Sequence, residues 1–150
     1  MDDAFDKKIG ELTEQDLSEI AELKFRVKAM ELGFKTYAPD GKHACDVIIS
    51  WYGKTSKVQI KHTNVLVESK DRFQAKLAKG SKAKLPYEEH EIDFFAVYIF
   101  PHDVWYIIPW SEQEGLNACF YPHRDSCGCN EGFIEAWKLL RRDEAKIHEQ

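Results

Sequence analysis

The chain has 150 residues, 43% of them apolar and 13% aromatic, which is enough to bury one ordinary core and predicts a single domain over residues 1–150. Its longest apolar run, Phe94 to Phe100, is far shorter than the roughly 18 or more residues of a spanning helix, and the polar start at Met1 has no secretory pattern, so no membrane partner and a cytoplasmic location are expected. The net charge of −5 argues mildly against a polyanionic partner, but Lys54 to Lys84 holds nine basic residues against two acids. Lys54, Lys57, Lys70, Arg72, Lys76, Lys79, Lys82 and Lys84 could thus form a footprint for DNA phosphates. The alternative is a solvated face with lysines pointing in every direction.

In chain order, Thr13 with Asp16 three residues on resembles a helix start. Leu17, Ile20, Leu23, Val27 and Met30 recur at spacings of three and four, and Gly33 follows as a stop, so the spacing predicts a helix over 13–32 with that set as its apolar stripe. Phe34 to Ala38 is a short extended piece, and Pro39, Asp40 and Gly41 form a turn. Cys45 to Trp51 is apolar on both faces, as in a covered central strand. Lys57 to Thr63 alternates, with Val58 and Ile60 on one face and Gln59, Lys61 and Thr63 on the other. Asp71 to Ala78 reads as a basic edge strand, or else a short helix, with Phe73, Ala75 and Leu77 sharing a face. A polar loop over 80–91 precedes two apolar strands, Ile92 to Phe100 and Val104 to Trp110, joined as a hairpin through Pro101. A terminal helix is expected from Phe133, with Ile134, Trp137 and Leu140 capping the sheet. The order predicts an α/β fold, or α+β, with a mixed sheet flanked by helices.

The two central strands carry the chemistry. Asp46 opens one of them, whereas Asp40 sits in a turn, and Gln59 and Lys61 project side by side from the next strand because residues i and i+2 share a face. Counting around a turn at 52–56 pairs Asp46 with residues 60 to 62. Phosphodiester cleavage needs a hard cation to activate water and polarise the phosphoryl oxygen, and a positive group for the charge that develops. Asp46 and Lys61 are of those types, magnesium is often held by only one or two carboxylates, and the Gln59 amide and Ile60 backbone carbonyl could add oxygens.

Leu17 to Glu22, Gly33 and Phe34 eleven residues after that glutamate, Asp46 before Val47, Ile48 and Ile49, and Gln59 with Lys61 together resemble the PD-(D/E)XK nuclease superfamily. Within it the likeness is to group I intron-encoded homing endonucleases of cyanobacterial type, which commonly carry Gln where other branches carry Asp or Glu. It covers residues 18–64 and continues more loosely through Ile92 to Tyr98, Trp105 to Pro109 and Glu135 to Leu140. The resemblance implies a restriction-endonuclease-like core and a Mg2+-dependent endonuclease, with Mn2+ able to substitute, that cuts double-stranded DNA site-specifically. It implies Asp46 as principal metal ligand, Glu22 as an additional one, Gln59 at the altered acidic position and Lys61 as the motif lysine. Since one centre per chain cuts one strand, a homo-oligomer, dimer or tetramer, is expected. A branched-DNA resolvase, a defence nuclease or a catalytically decayed DNA-binding module are the alternatives on the same fold.

Cys119, His123, Cys127 and Cys129 form an array, read as a loop, that could hold a structural zinc, although reduced, unligated cysteines are the commoner outcome. Trp105, Tyr106, Trp110 and Phe120 could stack on bases, but at strand positions they read first as core.

Overall fold

The computed structural model describes residues 11–80, 85–125, 128 and 130–142. Helix α1 (Glu14–Glu31) starts with a reciprocal cap: Asp16 N–H donates to Thr13 Oγ1 (3.1 Å), and Thr13 N–H donates to the Asp16 carboxylate (3.0 Å). Gly33, at φ +98°, ends it in a conformation that side chains resist. Strands β1 (Lys35–Tyr37), β2 (Val47–Trp51), β3 (Lys54–Thr63), β5 (Phe94–Ile99) and β6 (Val104–Pro109) form a mixed five-stranded sheet in the order β1-β2-β3-β5-β6. Among the described strands, only β3 and β5 pair in parallel. Strands β4 (Phe73–Lys76) and β7 (Asn117–Phe120) pair antiparallel in a second, two-stranded sheet. No helix among the described residues is long and apolar enough to cross a membrane.

Alternation along β5 divides the core. Phe94, Ala96 and Tyr98 pack beneath α1 with Val47, Ile49, Val58 and Ile60, whereas Phe95, Val97 and Ile99 pack with Phe73, Ala75 and Phe120 of the small sheet. The sheet is thus covered on both faces, the layering expected of an α/β fold.

The helix is rotated from the orientation its large residues predict. Leu17, Ala21, Phe25 and Ala29 are buried, while Leu23, Val27 and Met30 are 62%, 52% and 51% exposed. Alanines at 21 and 29 let the helix approach the sheet closely, and Phe25 fills the space between, stacked on Trp137 (5.2 Å) and edge-on to Trp105 (5.4 Å).

Three further expectations are corrected. Tyr52 and Gly53, both at positive φ, make a two-residue turn, so β3 begins at Lys54 and Val47 lies opposite Val58; that register carries Asp46 beside Gln59 rather than residues 60 to 62. The segment after Phe133 forms no α-helix. Glu135, at φ 49°, accepts the Trp105 N–H through its carboxylate and donates its own N–H to the Trp105 carbonyl, so these bonds to β6 replace helical ones; a short 3-10 turn follows over Trp137–Arg141. Trp137 and Leu140 are buried there, whereas Ile134 stays exposed. Cys119 lies in β7 rather than in a loop, because Asn117–Phe120 completes the pairing of the basic strand β4.

The rotation is open to measurement. In denaturant unfolding, Phe25→Ala is expected to cost about 3–5 kcal/mol. Leu23→Ala, on the face the sequence pattern assigned to the core, is expected to stay within about 0.5 kcal/mol.

Candidate active site

Strand β3 is longer than its neighbour. β2 pairs with it only over Lys54–Val58, so residues 59–63 run past the end of β2 while their other edge is held by β5. An unpaired backbone edge would normally be left at that point. Here the chain entering β2 covers it: Asp46 N–H donates to the Val58 carbonyl (2.9 Å), and Ile60 N–H donates to Asp46 Oδ2 (2.8 Å). The side chain of Asp46 thereby extends the ladder by one bond and is fixed in a cleft of about 430 Å³.

Glu14, Ser18, Glu19 and Glu22 of α1 form one wall of that cleft, Asp46, Gln59, Ile60 and Lys61 its floor, and Lys76 of β4 an outer edge. Glu22 faces inward because it flanks the buried Ala21 and Phe25. Glu14 and His62, 3.1 Å apart, join the first turn of the helix to the end of β3. His62 also packs edge-on against Phe100, at the rim.

The electrostatics set the four central groups apart from ordinary surface residues. Burial pushes the Asp46 carboxyl above the usual carboxylate range, against the Ile60 N–H bond and the Lys61 charge, which pull it down. Burial also raises Glu22, the negative charge of Asp46 raises it further, and Arg26 opposes both. Gln59 Oε1 is buried without a hydrogen-bond partner, although its Nε2 contacts the Ile60 carbonyl at 3.5 Å. A buried acceptor without a donor is costly unless something electropositive reaches it. Two carboxylates, an unpartnered amide oxygen and a backbone carbonyl make an all-oxygen donor set suited to a hard divalent cation. The Lys61 ammonium reaches the Ala78 carbonyl at 3.2 Å and also lowers the Asp46 carboxyl, so it lies within electrostatic reach of that carboxylate.

The structure therefore brings together Glu22, Asp46, Gln59, Ile60 and Lys61 from three separate elements. The basic residues are dispersed. Lys76 borders the cleft, Lys79 is paired with Glu91 (2.7 Å), and Arg72 donates to Gln74 (2.9 Å). Lys70 is exposed in the turn before β4. Lys54 and Lys57 lie at the opposite end of β3, where their ammonium groups are bound by the carbonyls of Arg142 and His90. Lys82 and Lys84 lie outside the described residues, as do Cys127 and Cys129. Of the rest of that Cys/His array, His123 is paired with Asp71 (3.0 Å) and Cys119 is a free thiol; no cluster of three or more metal-binding side chains occurs among the described residues. Trp105, Tyr106 and Phe120 are buried in the core and Trp110 is partly buried, donating its Nε1–H to the Tyr87 carbonyl. Sequence reasoning did not select Ser18 or Glu14 as cleft residues; their positions four and eight residues before Glu22, on the same helix face, were the available signal.

A two-sided mixed sheet with an acid at the end of one strand, Gln-x-Lys on the next and a helix glutamate opposite defines a restriction-endonuclease-like nuclease core. The chain belongs to the PD-(D/E)XK endonuclease family, whose model matches residues 12–121, and it is accordingly a DNA-cleaving hydrolase. Among solved structures, the bacterial homing endonuclease I-Ssp6803I is similar in fold, with a TM-score of 0.72 and 21% identity over 89% of this chain and 94% of that one. No curated protein matches the sequence.

Since Asp46 is disfavoured as an anion in the fold, ionisation lowers stability as pH rises through its folded pKa. Asp46→Asn keeps the acceptor for Ile60 N–H and removes that charge. In chelator at neutral pH, it is expected to stabilise the protein by on the order of 1 kcal/mol. The gain should disappear in acid, where Asp46 is protonated in both states; thermal melts across pH check this.

Proposed function

We propose that the chain is a Mg2+-dependent endonuclease of double-stranded DNA, with Mn2+ able to substitute, and that the cleft between α1 and β3 is its catalytic centre. The observation that carries this reading is the unpartnered, buried Oε1 of Gln59 beside Asp46 and the Ile60 carbonyl, on the strand that also presents Lys61. Asp46 and the Ile60 carbonyl would hold the ion, with Gln59 as a neutral oxygen donor in place of a second strand carboxylate and Glu22 as an outer ligand. When bound, a divalent ion polarises a phosphoryl oxygen and makes water a better nucleophile.

The protein's own groups account for the rest. Asp46 is held immobile by the Ile60 N–H, so its orientation needs no reorganisation when substrate arrives. Lys61 supplies fixed positive charge for the extra negative charge on the phosphate in the transition state. Glu22, raised by burial and by Asp46, is suited to accept a proton or to bind through water from the helix side. Lys76 at the cleft edge is placed to meet a neighbouring backbone phosphate.

Site-specific, intron-homing-type cleavage by a dimer or tetramer is the finer form of the proposal. It is supported by the similar fold of a bacterial homing endonuclease and by the need for two centres to break two strands. A decayed DNA-binding module is the reading that Gln59 by itself would favour, and a resolvase is the rival activity.

Nicking of supercoiled plasmid in Mg2+ tests the proposal. Asp46→Asn and Lys61→Ala are each expected to slow it by about 100-fold or more while leaving DNA binding in place. Unchanged nicking in both variants overturns the catalytic assignment. Preference for four-way junctions over linear duplex would replace homing with resolution.

A further inference from the structure

Lysine is a flexible cation, and a site that depends on its position must restrain four carbon–carbon bonds. Lys61 is restrained by the Ala78 carbonyl (3.2 Å) and by the face of the Tyr87 ring, whose centroid lies 5.5 Å from the ammonium nitrogen. Tyr87 lies within the polar loop that leads into β5 and far from every motif residue in sequence, yet it is buried.

Tyr87 is itself held from several directions. Its ring meets Phe95 edge-on (5.5 Å), and its carbonyl accepts from Trp110 Nε1 (2.7 Å). The chain on either side is tied down by paired backbone bonds between Lys79 and Leu85 and by the Lys79–Glu91 ion pair (2.7 Å). Burial, with the charges of Asp46 and Glu91, pushes its phenol up to about 12, so the group beside Lys61 stays neutral and offers the ammonium its π face.

We infer that Tyr87 is a positioning residue for cleavage: its ring, with the Ala78 carbonyl, holds the Lys61 ammonium in the cleft by a cation–π contact. This rests on the reading of Lys61 as the transition-state cation. It extends the functional site beyond the quartet of Glu22, Asp46, Gln59 and Lys61 to the loop before β5.

A core role and a positioning role differ in their dependence on ring electrons. Replacing Tyr87 by phenylalanine, and then by phenylalanines carrying one to five fluorines, keeps shape and packing while weakening the quadrupole. In single-turnover nicking of supercoiled plasmid with Mg2+, Tyr87→Phe is expected to preserve the rate. The pentafluoro form is expected to fall by roughly 3- to 30-fold, with intermediate rates between and the same DNA affinity throughout. A rate indifferent to fluorination, alongside a Lys61→Ala variant that no longer nicks, overturns the role of Tyr87 and leaves the catalytic reading intact. A Tyr87→Phe variant as slow as the pentafluoro form also overturns it, by assigning the effect to the hydroxyl. A Lys61→Ala variant that nicks like the parent overturns the underlying reading instead.

Discussion

The bond from Ile60 N–H to the Asp46 carboxylate is the contact on which the site depends. It exists because β3 outruns β2, and a strand edge that emerges from a sheet must find acceptors and donors elsewhere. Asp46 supplies one of each, its N–H to Val58 and its carboxylate for Ile60. A structural need, completing the ladder, thereby fixes the carboxylate at the place where the Gln59 amide, the Ile60 carbonyl and the Lys61 ammonium converge. Had β2 continued, its own backbone would fill that place and the cleft would be closed.

The helix completes the cleft through small residues. Ala21 and Ala29 bring α1 close to the sheet, and Phe25 anchors it between two tryptophans. This rotation turns Glu22 inward and leaves Leu23, Val27 and Met30 facing outward. Trp105 and Trp137 in turn depend on Glu135, which bonds the Trp105 N–H and the Trp137 indole through its two carboxylate oxygens. The end of the described chain thus acts on the helix that walls the cleft across one layer of aromatic packing.

The site also opposes the stability of the fold around it. Two carboxyls are raised by burial, one raises the other, and a buried amide oxygen is left without a donor. Each of these costs free energy in the protein alone and would be relieved by a cation among them. That is the usual relation between a preorganised polar site and the core that supports it.

Much of this was legible in the sequence because it is local. The Thr13–Asp16 cap, the Gly33 stop, the alternation of β3 and the shared face of Gln59 and Lys61 follow from backbone geometry over a few residues, and the order of these motifs carried the family resemblance. What depended on distant partners was not legible. Hydrophobic spacing selected the wrong face of α1, because close approach through alanine outweighed the larger side chains. Glu135 diverted an expected helix into contacts with β6. The basic segment read as one footprint was divided by Glu91 and by the carbonyls of His90 and Arg142. By itself, the sequence determined the strands of the five-stranded sheet, their faces and the residue types of the candidate site. Only the tertiary structure decided which helix face meets the sheet, that Asp46 closes the β3 edge, and that Tyr87 touches Lys61, because packing and unpaired backbone groups are satisfied between segments remote along the chain.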